Sequence, residues 1–369
     1  FTALFMTRYF FAGWVQNPKN KSLPMMKFLT APHFNFLKQA KTAIIASLIV
    51  IALGAGFLIK EKDQILGMDF TGGYALNLNL EPRANINLRE ETLKALISSG
   101  ARNADVQVRE LSSPTSLRIQ LSSHLENAGQ PFFGLPQEIE PSGAVIAFEN
   151  NPRIKWVIQA LQSKGLTVTQ DSLDSIDQNW NQMSGQLSNA MRDQALIGLG
   201  IALVCIMIYI SIRFEFKYGL AAVIGLGHDL VITIGAIALL NVLGITLQID
   251  LQVIAALMTI VGYSLNDTII IFDRIREDLK SKRKMDLRDV VNQALNTTLS
   301  RTIMTSGTTL LVLVTLVLFG GKSIFDFSMV MAIGVIVGTL SSLFVASPLL
   351  VYLHKREEKK ASFLLSKQS

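Results

Sequence analysis

Apolar residues run in blocks along this chain, and six blocks are about as long as a bilayer is thick, given that a crossing helix needs roughly 17 to 25 residues. They cover residues 43–59, 195–212, 219–240, 252–272, 302–319 and 327–353, and each predicts a transmembrane helix. A shorter apolar stretch, 1–16, contains Arg8 and has no basic leader ahead of it. It reads as the severed end of a preceding membrane helix, not as a signal peptide.

Between the first and second blocks the pattern changes to that of a water-soluble domain, residues 60–194. Tyr74, Leu76, Leu78 and Leu80 alternate with small or polar residues and predict a half-buried strand. Asn87 followed by Glu90 predicts a capped helix from Leu88, ended by Ser98-Ser99-Gly100. Val106 and Val108, then Leu117, Ile119 and Leu121, predict two further strands. A second helix opens at Asn151-Pro152 and stops at Gly165, a short strand follows over 166–169, and 171–194 reads as a polar helix leading back to the membrane. The order β-α-β-β-α-β is that of the ferredoxin-like split βαβ arrangement. The expected fold is therefore a polytopic α-helical membrane protein of six full spans plus a severed N-terminal helix end, carrying an α+β ferredoxin-like extracytoplasmic domain. An insertion, 124–150, interrupts the pattern and is open to two readings, a surface loop or a binding element.

The charges give the orientation. Residues 60–194 hold 12 Lys or Arg against 16 Asp or Glu, whereas the remainder holds 22 against 12. The segment 17–41 carries five Lys and no acid, 273–301 carries eight basic residues, and the tail 354–369 carries five. By contrast, 241–250 carries none and 320–326 one. With six alternating spans every basic segment falls on one side, which the positive-inside rule makes cytoplasmic. Both ends are thus expected in the cytoplasm, with a basic linker at 17–41, a five-helix membrane part at 195–353, and a cytoplasmic loop at 273–301. That loop reads either as solvated charge or as a contact for a cytoplasmic partner or lipid headgroups.

Composition agrees: half of the residues are apolar and 17% charged, below the roughly 25% of soluble domains. A pI near 9.3 raises nucleic-acid binding, but the excess charge lies beside the spans, so no nucleic-acid partner is expected. The single cysteine, Cys205, excludes a disulfide framework and a cysteine-based zinc cluster. Residues 60–194 contain no catalytic constellation, with His124 alone and no phosphate-binding glycine loop, so no enzyme activity and no cofactor are expected.

Polar residues inside apolar spans stand out, because a charge near the bilayer centre costs about 2.5 to 3.5 kcal/mol even on insertion scales. His228 and Asp229 sit near the middle of the third block, and Asn266 and Asp267 in the fourth. Arg301 precedes the fifth block on the same side as Asp267, from where its stem could reach inward. For His228 and Asp229, interhelical hydrogen bonding and a functional role are both open. Asp267 would titrate in a low-dielectric site and could take up and release a proton. One His and two Asp on different helices lack the ligand density of a metal site, and none is expected.

Two motifs go beyond pattern. Gly67-Met68-Asp69-Phe70-Thr71-Gly72-Gly73 resembles a signature of the SecF family of protein-export membrane proteins. So does Gly262-Tyr263-Ser264-Leu265-Asn266-Asp267-Thr268, continuing through Phe272-Asp273-Arg274-Ile275-Arg276-Glu277. Leu299-Ser300-Arg301-Thr302, His228-Asp229 and the six-span layout agree, over about residues 36–353. Residues 1–11 and 17–38 look like the last SecD span and the linker of a fused SecD-SecF chain. One departure is Asn179-Trp180-Asn181-Gln182-Met183-Ser184-Gly185, which stands where many members carry a valine-glycine-proline motif.

The resemblance implies a resistance-nodulation-division type fold in the bacterial inner membrane. It implies an accessory subunit of the Sec translocase that uses the proton-motive force to complete preprotein export after the ATP-driven SecA step. Its implied partners are a SecD half, the SecYEG channel, SecA indirectly, unfolded preprotein and membrane lipid. In that family the Asp matching Asp267 is taken to carry the proton, with Asn266 beside it, and the Arg matching Arg301 to bias its protonation. Gly67, Asp69, Phe70, Gly72 and Gly73 would build the turn from first span to domain, the glycines permitting positive φ. Two rival readings are a small-molecule or lipid exporter of the same superfamily and an intramembrane enzyme using His228 and Asp229.

Overall fold

The computed structural model describes residues 2–15, 34–83, 86–111, 113–136, 151–183, 185–245, 247–282 and 284–366. Part of the expected linker (17–33), the second half of the insertion (137–150), Ser184 of the departing motif and the last three residues of the tail lie outside them.

Among the described residues six helices are long and apolar enough to cross a membrane. They lie within α2 (Phe36–Ile65), α8 (Gly185–Arg213), α9 (Phe216–Val242), α10 (Leu251–Ser281), α11 (Leu287–Phe319) and the pair α12 (Lys322–Ser341) and α13 (Ser347–Ser366). A π-helical turn, Ser342–Ala346, joins α12 to α13 as one span, with Ser347 Oγ donating to the Ser342 carbonyl at 2.8 Å. The shorter helix α1 (Thr2–Val15), of 14 residues, is apolar and exposed.

The apolar surfaces of α2 and α8 are almost wholly uncovered, while α9, α10 and α12–α13 form the packed centre. Uncovered apolar surface costs nothing in lipid, so packing follows small residues and polar links. At the α2–α9 crossing a Cβ on Gly54 would stand 2.6 Å from the Gly235 Cα, so the two backbones touch.

The segment 273–301, read from sequence as a loop, is helical except for residues 282–286. The charges that set topology also support helix: Asp278 lies 3.3 Å from Arg274 and 2.9 Å from Lys282, at i,i+4 spacing on one face. Asp286 then caps α11, accepting from the Arg288 N–H at 3.2 Å.

The domain between α2 and α8 is a four-stranded antiparallel sheet with two helices on one face. Its strands are β1 (Gly73–Asn79), β2 (Val106–Glu110), β3 (Ser116–Ser122) and β4 (Trp180–Met183), ordered β2-β3-β1-β4. Helices α4 (Leu88–Ser98) and α5 (Pro152–Ser163) supply Leu96, Val157 and Leu161 to a core with Leu76, Leu117 and Ile119, all fully buried. Asn87 and Asn151 cap them, the latter accepting from Arg153 N at 3.0 Å with Pro152 at the first helical position.

Three expectations are corrected here. The edge strand is Trp180–Met183, whereas 166–169 contributes one bridge, Val168 to Leu80. The segment 171–194 is not one polar helix: α6 (Gln170–Asp174) and α7 (Ile176–Asn179) are single turns before β4, and α8 starts only at Gly185. And β1 keeps its half-buried alternation only in its second half: Ala75 is 1% exposed, whereas Asn77 and Asn79 on the same face are half-buried and exposed.

The described half of the insertion runs over the surface but is anchored in the core by two side chains. Leu125 and Phe132 are buried in the core, and the Phe132 ring packs edge-on against Tyr74 and Trp156. Beside them Arg153, 2% exposed, donates to Glu126 Oε1 at 2.9 Å and to the Pro136 carbonyl at 2.6 Å, with its guanidinium over the Tyr74 ring. The Tyr74 hydroxyl donates to the same carboxylate, and burial, then that hydrogen bond, push its phenol well above the ordinary tyrosine range.

The sheet domain meets the membrane helices at the glycine-rich motif. Gly67 N–H donates to the Ile249 carbonyl at 2.8 Å, and Ile249 N–H donates to the Ile65 carbonyl at 2.7 Å, a short parallel pairing next to the start of α10. In the single turn α3 (Met68–Thr71), Asp69 Oδ2 accepts from Leu251 N–H at 3.0 Å and Phe70 is buried. Asp250 Oδ1 accepts from Val253 N–H at 2.9 Å, so two carboxylates cap α10. Gly72 and Gly73 have φ of 69° and 132°, and a Cβ on Gly73 would collide with the Leu121 carbonyl. A second tie is ionic: Arg109 Nη1 on β2 lies 2.7 Å from Asp326 Oδ2 on α12.

Candidate functional site

The packed centre of the helical bundle holds buried hydroxyls and carboxyls in a place where water cannot satisfy them. Asp267 is 3% exposed on α10, facing α11 and α12. Ser306 Oγ on α11 donates to its Oδ2 at 3.4 Å and lies 2.7 Å from Thr339 Oγ1 on α12. A carboxylate has about four acceptor sites, and Ser306 is the single donor to this one among the described residues. One long hydrogen bond leaves the charge under-solvated, the setting in which ionisation and helix packing become linked.

One turn earlier on α10, Ser264 Oγ donates to Asp229 Oδ2 on α9 at 2.7 Å. Asp229 is 1% exposed, its Oδ1 lies 3.2 Å from His228 Nδ1, and its carbonyl accepts from Thr233 Oγ1. His228 Nε2 is buried with no hydrogen-bond partner among the described residues. Gly338 on α12 faces both groups: a Cβ there would stand 2.8 Å from Ser264 Cβ and 3.5 Å from Asp229 Oδ2. Four helices thus meet around two carboxyls, joined by side chains one turn apart on α10.

Of the residues singled out from sequence, Asp267, Asp229 and His228 lie in this buried centre. Asn266 and Arg301 do not. Both are exposed, and Arg301 makes no ion pair with Asp267 within 4.0 Å among the described residues. Adjacent positions on a helix point about 100° apart, so burying Asp267 turns Asn266 outward. The hydroxyls of Ser264, Ser306 and Thr339 were not anticipated. A signal existed: Ser264 stands three residues before Asp267, and Ser306 and Thr339 interrupt apolar runs.

The family model for protein export membrane protein SecD/SecF, C-terminal, matches residues 163–356. Protein translocase subunit SecF of Calditerrivibrio nitroreducens is 34% identical, covering 89% of this chain and 96% of that one. The SecF of Vibrio alginolyticus is 32% identical, covering 88% and 90%. Protein translocase subunit SecDF of Thermus thermophilus is 32% identical over 91% of this chain, which spans 40% of its length. The crystal structure of SecDF, a translocon-associated membrane protein from Thermus thermophilus, superposes with a TM-score of 0.70 at 30% identity, covering 91% of this chain and 41% of that one.

Proposed function

Because the chain belongs to the SecF family of protein translocase subunits, we propose that it draws on the proton-motive force to complete preprotein export after the ATP-driven SecA step. The observation that carries this reading is the buried Asp267, held by one hydroxyl at the junction of α10, α11 and α12. In the proposed cycle Asp267 alternates between a protonated form resting on Ser306 and an ionised form paired with Arg301. Each form favours a different packing of the three helices. Moving one elementary charge down 100 mV yields about 2.3 kcal/mol, comparable to typical couplings between conformational states.

The sheet domain is the proposed handle on the emerging chain, and the hydrogen-bonded junction at 65–69 and 249–251 is the route by which α10 moves it. The uncovered Asn266 and Arg301 favour a second membrane half packed on that side, in keeping with the SecD portion of the fused Thermus relative. The lysine and arginine distribution supports a multi-pass protein of the bacterial inner membrane with 273–301 and the tail in the cytoplasm. SecYEG and unfolded preprotein are the partners this role requires.

The test is Asp267→Asn, co-reconstituted with its SecD partner, SecYEG and SecA in vesicles that can be given a proton gradient. Gradient-dependent completion of export should be lost while the ATP-driven step persists. Undiminished gradient-dependent export in the variant refutes the assignment.

A further inference from the structure

At the end of the bundle away from the sheet domain, α2, α11 and α13 enclose a groove of about 760 Å³, within the range of ligand-binding cavities. Five cations line it: Lys38 and Lys41 of α2, Arg288 of α11, and Lys355 and Arg356 of α13. No acidic side chain lines it, and none of the five enters an ion pair within 4.0 Å among the described residues. Of the acids adjoining these cations in sequence, Glu357 lies 3.5 Å from Lys217 and Asp286 caps the α11 backbone. Five like charges around one cavity repel one another unless an anion is supplied.

Both long walls grade from charge to hydrocarbon in the same direction. Along α2, Lys38, Lys41 and Ile44 follow at three-residue spacing, on one face and progressively deeper in the bundle. On α13, which runs the other way, Pro348 lies deepest, Val351 and Tyr352 come next, and Lys355 and Arg356 are outermost. A groove with cations at its mouth and alkyl walls leading inward matches an amphiphile, a phosphate-bearing headgroup with acyl chains beneath it. A free phosphate or an acidic peptide would leave the apolar walls unused. The chain's own segment 16–33 carries three Lys and no acid, so its charge opposes it as an occupant.

We propose that this groove is a binding site for one anionic phospholipid, its phosphate held by the cluster of Lys38, Lys41, Arg288, Lys355 and Arg356. Such a lipid would pin the outer ends of α2 and α13 to the leaflet surface while the rest of the bundle moves. The site is independent of any proton chemistry at Asp267.

Native mass spectrometry of the full chain in detergent, titrated with phosphatidylglycerol, phosphatidylcholine or inorganic phosphate, tests it. The wild type should retain phosphatidylglycerol at least about tenfold better than phosphatidylcholine. Each near-surface Lys or Arg contributes about fivefold to such binding, so Lys41→Gln/Lys355→Gln should lower retention about twenty-five-fold. Ile44→Trp, which fills the apolar wall and keeps all five charges, should also weaken it. Lys280→Gln/Lys284→Gln, outside the groove, should not. Equal retention of the two lipids, an undiminished Lys41→Gln/Lys355→Gln variant, an undiminished Ile44→Trp variant, or an equal loss in the Lys280/Lys284 control each overturns the site. Displacement of the lipid by millimolar phosphate overturns the lipid assignment in favour of a free anion.

Discussion

The ion pair between Arg109 and Asp326 ties the sheet domain to the bundle, and cutting it should release the domain by an amount that depends on which partner is removed. The two side chains are 20% and 9% exposed and meet at 2.7 Å. Removing one member of a fully buried pair costs about 3–5 kcal/mol, and the partial exposure of Arg109 reduces this to about 2–3 kcal/mol. The surroundings break the symmetry. Asp326 and Asp69 act on Asp250 as like charges and Arg109 as the opposing one. Arg109→Leu therefore leaves several carboxylates facing one another, whereas after Asp326→Leu the guanidinium still faces Asp250. The first substitution should cost about 3 kcal/mol and the second about 1–2 kcal/mol, with the double substitution well short of their sum. Spin labels at Ser98→Cys on α4 and Leu243→Cys beyond α9, in a Cys205→Ser background, would report the docked distance by pulsed electron resonance. A loss of 2–3 kcal/mol changes the docked-to-undocked ratio about 30- to 150-fold. An unchanged distance distribution in Arg109→Leu, or additive single effects, would defeat the reasoning.

Three further outcomes follow from the packing and the charges. Gly338→Ala drives a methyl against Ser264 and should lower the thermal stability of the full chain in detergent by about 1–3 kcal/mol, while Gly227→Ala, with open space around it in a helix interior, should not lower it and should raise it by up to about 1 kcal/mol. Arg153→Leu strips Glu126, the Pro136 carbonyl and the Tyr74 ring of their shared cation. Its cost of about 3 kcal/mol should appear as faster amide exchange over residues 122–136, and full protection there would contradict the cluster. For Asp250, burial above all, helped by Asp326 and Asp69, holds the carboxyl above the ordinary aspartate value. A carboxyl with a raised pKa binds its proton more tightly in the folded state, so its contribution is complete below the ordinary value and is lost as pH rises through the raised one. Asp250→Asn keeps the cap on Val253 and removes that dependence. Wild type should therefore gain stability on the variant as pH falls through this window, and a constant difference would exclude the effect.

How far the sequence could be read depended on whether a feature was local. Spans announced themselves because twenty apolar residues have few other uses, and β1 and β3 because Tyr74 to Leu80 and Leu117 to Leu121 alternate. The edge strand Trp180–Met183 did not, since an edge needs hydrogen bonds to one neighbour only and Asn181 and Gln182 carry no apolar signature. Nothing local marks Arg153 as buried, because its partners Glu126 and Phe132 come from the insertion folded over it. At the centre of the bundle Asp267 was legible as a charge in an apolar run, while its hydroxyl partner Ser306 comes from a helix 39 residues away and is itself bonded to Thr339 on a third helix. The tie between Arg109 and Asp326, 217 residues apart, is a product of tertiary docking alone.

The short pairing at 65–69 and 249–251 has one more consequence. Helix α10 hangs from it, and Asp267 lies 16 residues down, about 24 Å at 1.5 Å per residue. A helix of this length transmits force without stretching, and equilibrium linkage runs equally in both directions. By whatever factor protonation at the lower end shifts the balance between two positions of the hanger, moving the hanger from one position to the other must alter proton affinity by the same factor. Anything that displaces the sheet would then act on the bundle as a titrant, its pull comparable to a change of pH.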